Sequence, residues 1–185
     1  MDLGFRMHAE RTPNPNSIKW VLGQAVADGF GSASFRDSVP SDVSPLASAI
    51  LALPEVEGVH LGPRFITVTK SEGAEWTELA APIVAAIKAW VASGEAALGP
   101  AYEPPEREED DAVAAKIRTI LERDVRPYVE QDGGEIVFAG YHDGVVEVVL
   151  QGACAGCPSS AITLKMGIEA RLKEEVPEVE SVVAL

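Results

Sequence analysis

Apolar positions recur with two different periods along this chain, and the switches between them outline short strands and amphipathic helices. Residues 18–22 follow the turn-forming run Thr12-Pro13-Asn14-Pro15-Asn16 and read as a strand. Ser44-Pro45 supplies a helix cap followed by proline at the first helical position, so residues 46–53 are expected to be a helix that Pro54 stops. Residues 56–61 and 65–69 are rich in β-forming side chains. Over 76–91, Leu79, Ile83, Ile87 and Trp90 or Val91 return at helical spacing until Ser93-Gly94 ends the run, and the stripe begun by Trp76 is expected to be core.

A second patterned region opens at Val113, with Ile117, Ile120 and Leu121 on the same helical face, and Val125-Arg126-Pro127 is expected to interrupt that helix. Asp132-Gly133-Gly134 reads as a turn. Residues 135–139 and 145–150 flank Tyr141-His142-Asp143-Gly144, and Asp-Gly between β-branched runs predicts a hairpin. Ser159 or Ser160 is expected to cap a helix that buries Ala161 or Ile162 together with Leu164, Ile168 and Leu172. Pro177 ends that helix, and residues 179–184 supply a last strand.

Between the two regions the composition breaks. Gly94, Gly99, Pro100, Pro104 and Pro105 precede Glu106, Glu108, Glu109, Asp110 and Asp111; proline removes backbone donors and like charges repel, so an extended spacer is expected. The expected organisation is a domain over 1–93, a linker over 94–108 and a domain over 109–185. The expected fold class is α+β, as two small α/β-sandwich-like domains joined by an acidic Pro/Gly linker.

Composition narrows the partners. Of 185 residues, 15 are basic and 29 acidic, and the net charge of −14 repels phosphate backbones and anionic membrane surfaces, so neither nucleic acid nor membrane is an expected partner. No apolar run approaches the roughly 20 residues that span a bilayer. The start, Met1-Asp2-Leu3-Gly4-Phe5-Arg6, lacks a basic stretch followed by an apolar one, and a cytoplasmic location is expected.

The candidate chemistry lies in one stretch. Both cysteines of the chain fall in Gly152-Ala153-Cys154-Ala155-Gly156-Cys157-Pro158, between a strand and a helix start, where unpaired amides and the helix dipole favour thiolate. Lys165 and Arg171 are the nearest downstream cations. A C-x-x-C pair admits three readings. Structural zinc needs four ligands, and besides these two thiols the chain offers only His8, His60 and His142, of which His60 reads as a surface or packing residue and not a ligand. Thiol–disulfide exchange also uses C-x-x-C at a helix start, though here the motif follows a hairpin and not the first strand of a βαβ unit. An iron–sulfur cluster on a two-fold axis turns two thiolates into four.

A family resemblance sits on these residues. Val125-Arg126-Pro127, Asp132-Gly133-Gly134, the run from Gly152 to Ser160, Thr163-Leu164-Lys165, Gly167-Ile168-Glu169 and Pro177-Glu178-Val179 resemble the NifU C-terminal domain over nearly all of 112–185. Thr12-Pro13-Asn14-Pro15-Asn16, Ser44-Pro45-Leu46-Ala47 and the run from Phe65 to Lys70 are similar to the Nfu N-terminal domain. The resemblance implies a scaffold or carrier and not an enzyme. Such a protein binds a 4Fe-4S cluster between two protomers through Cys154 and Cys157, as cofactor-binding and metal-binding residues, and has no catalytic residue. It further implies receipt from the upstream cluster assembly machinery, delivery to apo iron–sulfur client proteins, and a homodimer when cluster-bound.

Overall fold

In the computed structural model, residues 5–27, 29, 31–105, 111–156 and 158–185 are described, with the side chains of 158–161 outside the description. The chain divides into two compact units, one ending at Pro105 and one comprising the remainder. Both mix helices with antiparallel strands, as expected of an α+β chain.

The first unit contains β1 (Met7–Arg11), β2 (Ser17–Leu22), β3 (Ala33–Arg36), α1 (Pro45–Leu51), β4 (Val56–Leu61), β5 (Phe65–Lys70) and α2 (Trp76–Ser93). Its strands form one antiparallel sheet in the order β1-β2-β5-β4-β3. Ser44 caps α1 as its sequence position predicts, accepting from the Ala47 amide at 3.1 Å, and Gly94 closes α2 at φ 70°. Because strand side chains alternate, Trp20, Leu22, Val59, Leu61, Ile66 and Val68 share one sheet face and join Leu46, Ile50, Leu79, Ile83 and Ile87 of the two helices in a single core. Each aliphatic side chain buried there contributes about 1.5–3 kcal/mol.

The opposite face carries a polar row across all five strands, because the register aligns Glu10, Lys19, Thr67, His60 and Ser34 as successive neighbours. Lys19 pairs with Glu10 at 3.5 Å and lies 4.8 Å from the centroid of the Phe65 ring. His60 is 1% exposed, with Nδ1 2.7 Å from the Ser34 hydroxyl and Nε2 without a partner. Of the two placements expected for it, surface or packing, it takes the second.

Two strands were not foreseen, β1 and β3. Both are edge strands, short and mostly polar or exposed, so neither shows the alternation that marks a half-buried strand. The expected linker needs a larger correction. Ala97 and Leu98 are buried in the first core, and the Ser44 hydroxyl donates to the Ala97 carbonyl at 2.7 Å. The Gly99 and Ala101 amides donate to Val43 and Asp42 at 2.9 and 3.0 Å, and a Cβ on Gly99 would stand 2.1 Å from the Asp42 oxygen. Here glycine marks a close backbone approach and not an extended spacer. Asp111, grouped with the acidic run, caps the next helix by accepting from Val113 and Ala114. Residues 106–110 lie outside the described residues.

The second unit contains α3 (Ala112–Ile120), a π-turn (Leu121–Val125), α4 (Arg126–Gln131), β6 (Gly134–His142), β7 (Val145–Gly152), α5 (Pro158–Glu175) and β8 (Ser181–Ala184). Pro127 does not interrupt the helix as expected. The Arg126 amide reaches back five residues to Leu121, which sets Pro127 in the opening turn of α4, where a missing N–H costs nothing. β6 and β7 form the predicted hairpin, and Asp143 and Gly144 adopt φ of 47° and 82°, the positive pair that a primed two-residue turn requires. β8 runs parallel to β7. Ile168 and Leu172 of α5 are buried with Ile117, Ile120, Ile136, Val146 and Val148, whereas Ile162 is 69% exposed. Ile162 and Ile168 stand about 120° apart around the helix, which puts Ile162 outside the buried stripe.

One consequence of the polar row is measurable. Burial pushes the His60 imidazole from its ordinary 6.5 down to about 4. The unfolded chain therefore takes up this proton before the folded unit does; the stability is complete above 6.5 and is lost as pH falls from 6.5 towards 4. Trp20, Trp76 and Trp90 all lie in this unit, so tryptophan fluorescence follows its unfolding selectively. Urea unfolding should show about 2 kcal/mol less stability near pH ~5 than near pH ~7.5, a loss absent from His60→Leu. An undiminished loss in that variant would place the acid sensitivity elsewhere.

Candidate functional site

The cysteine loop leaves β7 at Gly152 and enters α5 at Pro158, so it joins a strand end to a helix N-terminus, as its flanking sequence predicts. Gly152 and Gly156 take φ of 63° and 72°, left-handed conformations that glycine adopts without strain. The Ala155 amide donates to the Gly152 carbonyl at 3.1 Å and folds the loop into a tight turn. Cys154 is 6% exposed and packs within the core of the second unit, whereas Gly156 is exposed. Cys157 lies outside the described residues.

The floor of the site comes from the other end of the hairpin. α4 ends at Gln131, and Gly133 at φ 77° turns the chain into β6, where Gly134 pairs with Gly152. The Ala153 amide donates to the Gly133 carbonyl at 3.1 Å, which pins the cysteine loop to this turn. A Cβ on Gly134 would stand 2.5 Å from the Cys154 sulfur and 2.9 Å from the Gln151 oxygen. The two glycines thus do different work: one supplies positive φ, and the other leaves the space that the sulfur occupies. Sequence reasoning read Asp132-Gly133-Gly134 as a turn and missed this second role; the doublet itself was the available signal.

The other sequence candidates separate. Arg171 is committed to carboxylates, donating to Asp124, Glu174 and Glu175 at 2.5–2.8 Å, and Arg123 and Arg171 together hold the Asp124 carboxyl down to about 2. Lys165 is exposed on α5. Arg126 approaches Glu122 and Glu135 at 3.9 and 3.7 Å, and Glu135 follows Gly134 directly. His8 pairs with Glu10 on β1, His60 is buried in the first unit, and His142 is exposed at the end of β6. Ser159 and Ser160 lie inside the first turn of α5. Among the described residues, no three His, Cys, Asp or Glu side chains are arranged to hold a metal ion.

The close approach at Gly134 sets a test. Gly134→Ala must displace the sulfur or the β6 backbone, an overpacking expected to cost about 1–3 kcal/mol in denaturant unfolding followed by circular dichroism. Gly73→Ala, whose Cβ would meet nothing within 4 Å, is the comparison and should be close to neutral. Equal effects in the two variants would remove the packing argument.

With this geometry in hand, comparisons with known proteins can be placed on the chain. The model of the NifU-like domain matches residues 117–183, and that of the scaffold protein Nfu/NifU N terminal matches residues 7–94. The Homo sapiens protein named NFU1 iron-sulfur cluster scaffold homolog, mitochondrial, is 40% identical over 183 residues, covering 95% of this chain and 70% of its own length. The Drosophila sechellia protein of the same name is 39% identical over 179 residues, and this chain spans 63% of its length. Among solved structures, a NifU-like protein from Saccharomyces cerevisiae shares 23% identity at a TM-score of 0.46, covering 54% of this chain and 91% of that one. A Staphylococcus aureus protein shares 23% at 0.40, covering 44% and 98%.

These names correct one expectation. The cytoplasmic location does not hold against relatives that are named mitochondrial. Its physical basis was weak, because an organelle address is a removable segment read by an import receptor and leaves no mark on the charge or packing of folded domains. Two family models in sequence, together with 40% identity over most of the human relative, carry one conclusion: the chain belongs to the Nfu/NifU family.

Proposed function

We propose that this protein is an iron–sulfur cluster scaffold or carrier, in which Cys154 and Cys157 of two protomers supply four thiolates to one 4Fe-4S cluster that is then delivered to apo-proteins. The observation that carries the proposal is the ligand count on a single loop. Two cysteines stand with two residues between them, and a two-fold axis beside them completes the four-sulfur set such a cluster takes. The names of the relatives support the same reading.

The site has features that suit a held but releasable cargo. Cys154 is fixed from below by the turn at Gly133 and Gly134, so its sulfur is positioned before cargo arrives. Charging a thiol in an apolar surround is costly, and coordination to iron offsets that cost. Past Cys154 the loop rises to the exposed Gly156, where a second chain has room to approach. A cluster shared across an interface is released when the interface opens, and the role is binding and delivery without bond-making catalysis.

The two family matches suggest a division of labour. The unit around residues 109–185 holds cargo, and the unit around 1–93, with the packed segment 94–105, docks the client or the upstream assembly machinery.

Anaerobic reconstitution with iron and sulfide should give about four irons per two chains, absorption near ~400 nm and the mass of a dimer. Cys154→Ser should lose most of the iron while unfolding of the first unit, followed by tryptophan fluorescence, stays unchanged. A colourless monomer that reduces disulfides would instead make the pair attacking and resolving thiols, and the carrier reading would be abandoned.

A further inference from the structure

Helix α5 is apolar on two sides. Ile168 and Leu172 bury one side in the core, yet Ile162 and Met166 on the other are 69% and 68% exposed. Residues 162, 166 and 170 recur at four-residue spacing and form a single ridge of Ile, Met and Ala, all exposed.

Charge does not oppose contact on the same face. The protein carries 29 acidic residues, but from Pro158 to Ile168 α5 has none and a single lysine, Lys165. Two copies with a net charge of −14 each repel, and this segment adds no acidic side chain to that repulsion. The ridge also adjoins the cysteine loop, since Ile162 and Met166 lie about 6 and about 12 Å along the helix axis from Pro158.

We infer that the outward ridge of α5 is the contact between two copies of this chain in the cluster-loaded state, with the helices side by side and their N-termini together. The inference rests on the shared-cluster reading above and names the surface that reading needs. An antiparallel crossing at Met166 would hold the two cysteine loops more than about 20 Å apart, too far for one cluster, so only the parallel arrangement serves. Ile162 then meets its counterpart across the two-fold axis, as does Met166. These two side chains expose roughly 250 Å², well below the ~800 Å² per partner of a stable interface. The contact alone is too small to hold a dimer, so the copies associate when cargo ties them and separate when it leaves.

The test is the paired substitution Ile162→Glu with Met166→Glu in the full chain. Both positions are exposed, so the variant without iron should match the parent in circular dichroism and thermal midpoint. After anaerobic loading, the parent should run at twice the chain mass, while the variant runs at the chain mass with less than half the parent's iron per chain. Ile162→Leu with Met166→Leu should behave as the parent. A loaded variant with dimer mass and full iron would overturn the assignment of this surface and leave the shared cluster standing. Slower delivery from such an intact dimer would also overturn it, by assigning the ridge to client docking. A parent that loads fully as a monomer would remove the shared cluster, and this contact with it.

Discussion

Everything in the second unit depends on one short distance, the gap between the Gly134 backbone and the Cys154 sulfur. β6 can begin where it does only because position 134 has no side chain, and the hairpin register follows from that start. The same register places Gly152 opposite Gly134 and so determines where the cysteine loop leaves the sheet. The hydrogen bond from Ala153 to Gly133 then makes loop and turn one piece. Loop position, sulfur burial and strand pairing are one constraint expressed three ways.

The first unit is organised differently. Its apolar face and two helices supply the stability, while the other sheet face is given over to a polar row that includes an imidazole buried without a partner for one nitrogen. Buried polar groups of this kind contribute little to stability and constrain which strands pair in which register, since Ser34, His60 and Thr67 meet their neighbours in only one alignment.

Much of this was legible from the residues. β2, β4, β5, α1, α2 and the Asp143-Gly144 hairpin lie where apolar spacing, caps and turn chemistry predict, because in each of them local propensity and burial favour the same structure. What was not legible has physical reasons. β1 and β3 are edge strands that bury little. Proline at 127 signals a break only if the helix keeps its ordinary pitch, and the π-turn at Leu121–Val125 changes that pitch. The Pro/Gly composition of 94–105 predicts an extended spacer, yet Ala97 and Leu98 within it are apolar enough to be drawn into the core. At the site, the cysteines announced themselves by spacing, whereas Gly134 looked like half of a turn because a close approach between residues 20 apart leaves no periodic trace.

The parallel pairing of β8 with β7 bears on how the protein can be handled. β7 runs towards the cysteine loop, so β8 runs the same way, and the Leu185 amide already bonds to the Val148 carbonyl, four residues short of Gly152. Residues fused after Leu185 are aimed along the sheet edge at the loop itself, within about 13 Å of chain travel. An affinity tag or reporter placed there would crowd the sulfur site. The first unit is the safer place to attach a handle, because it carries neither cysteine.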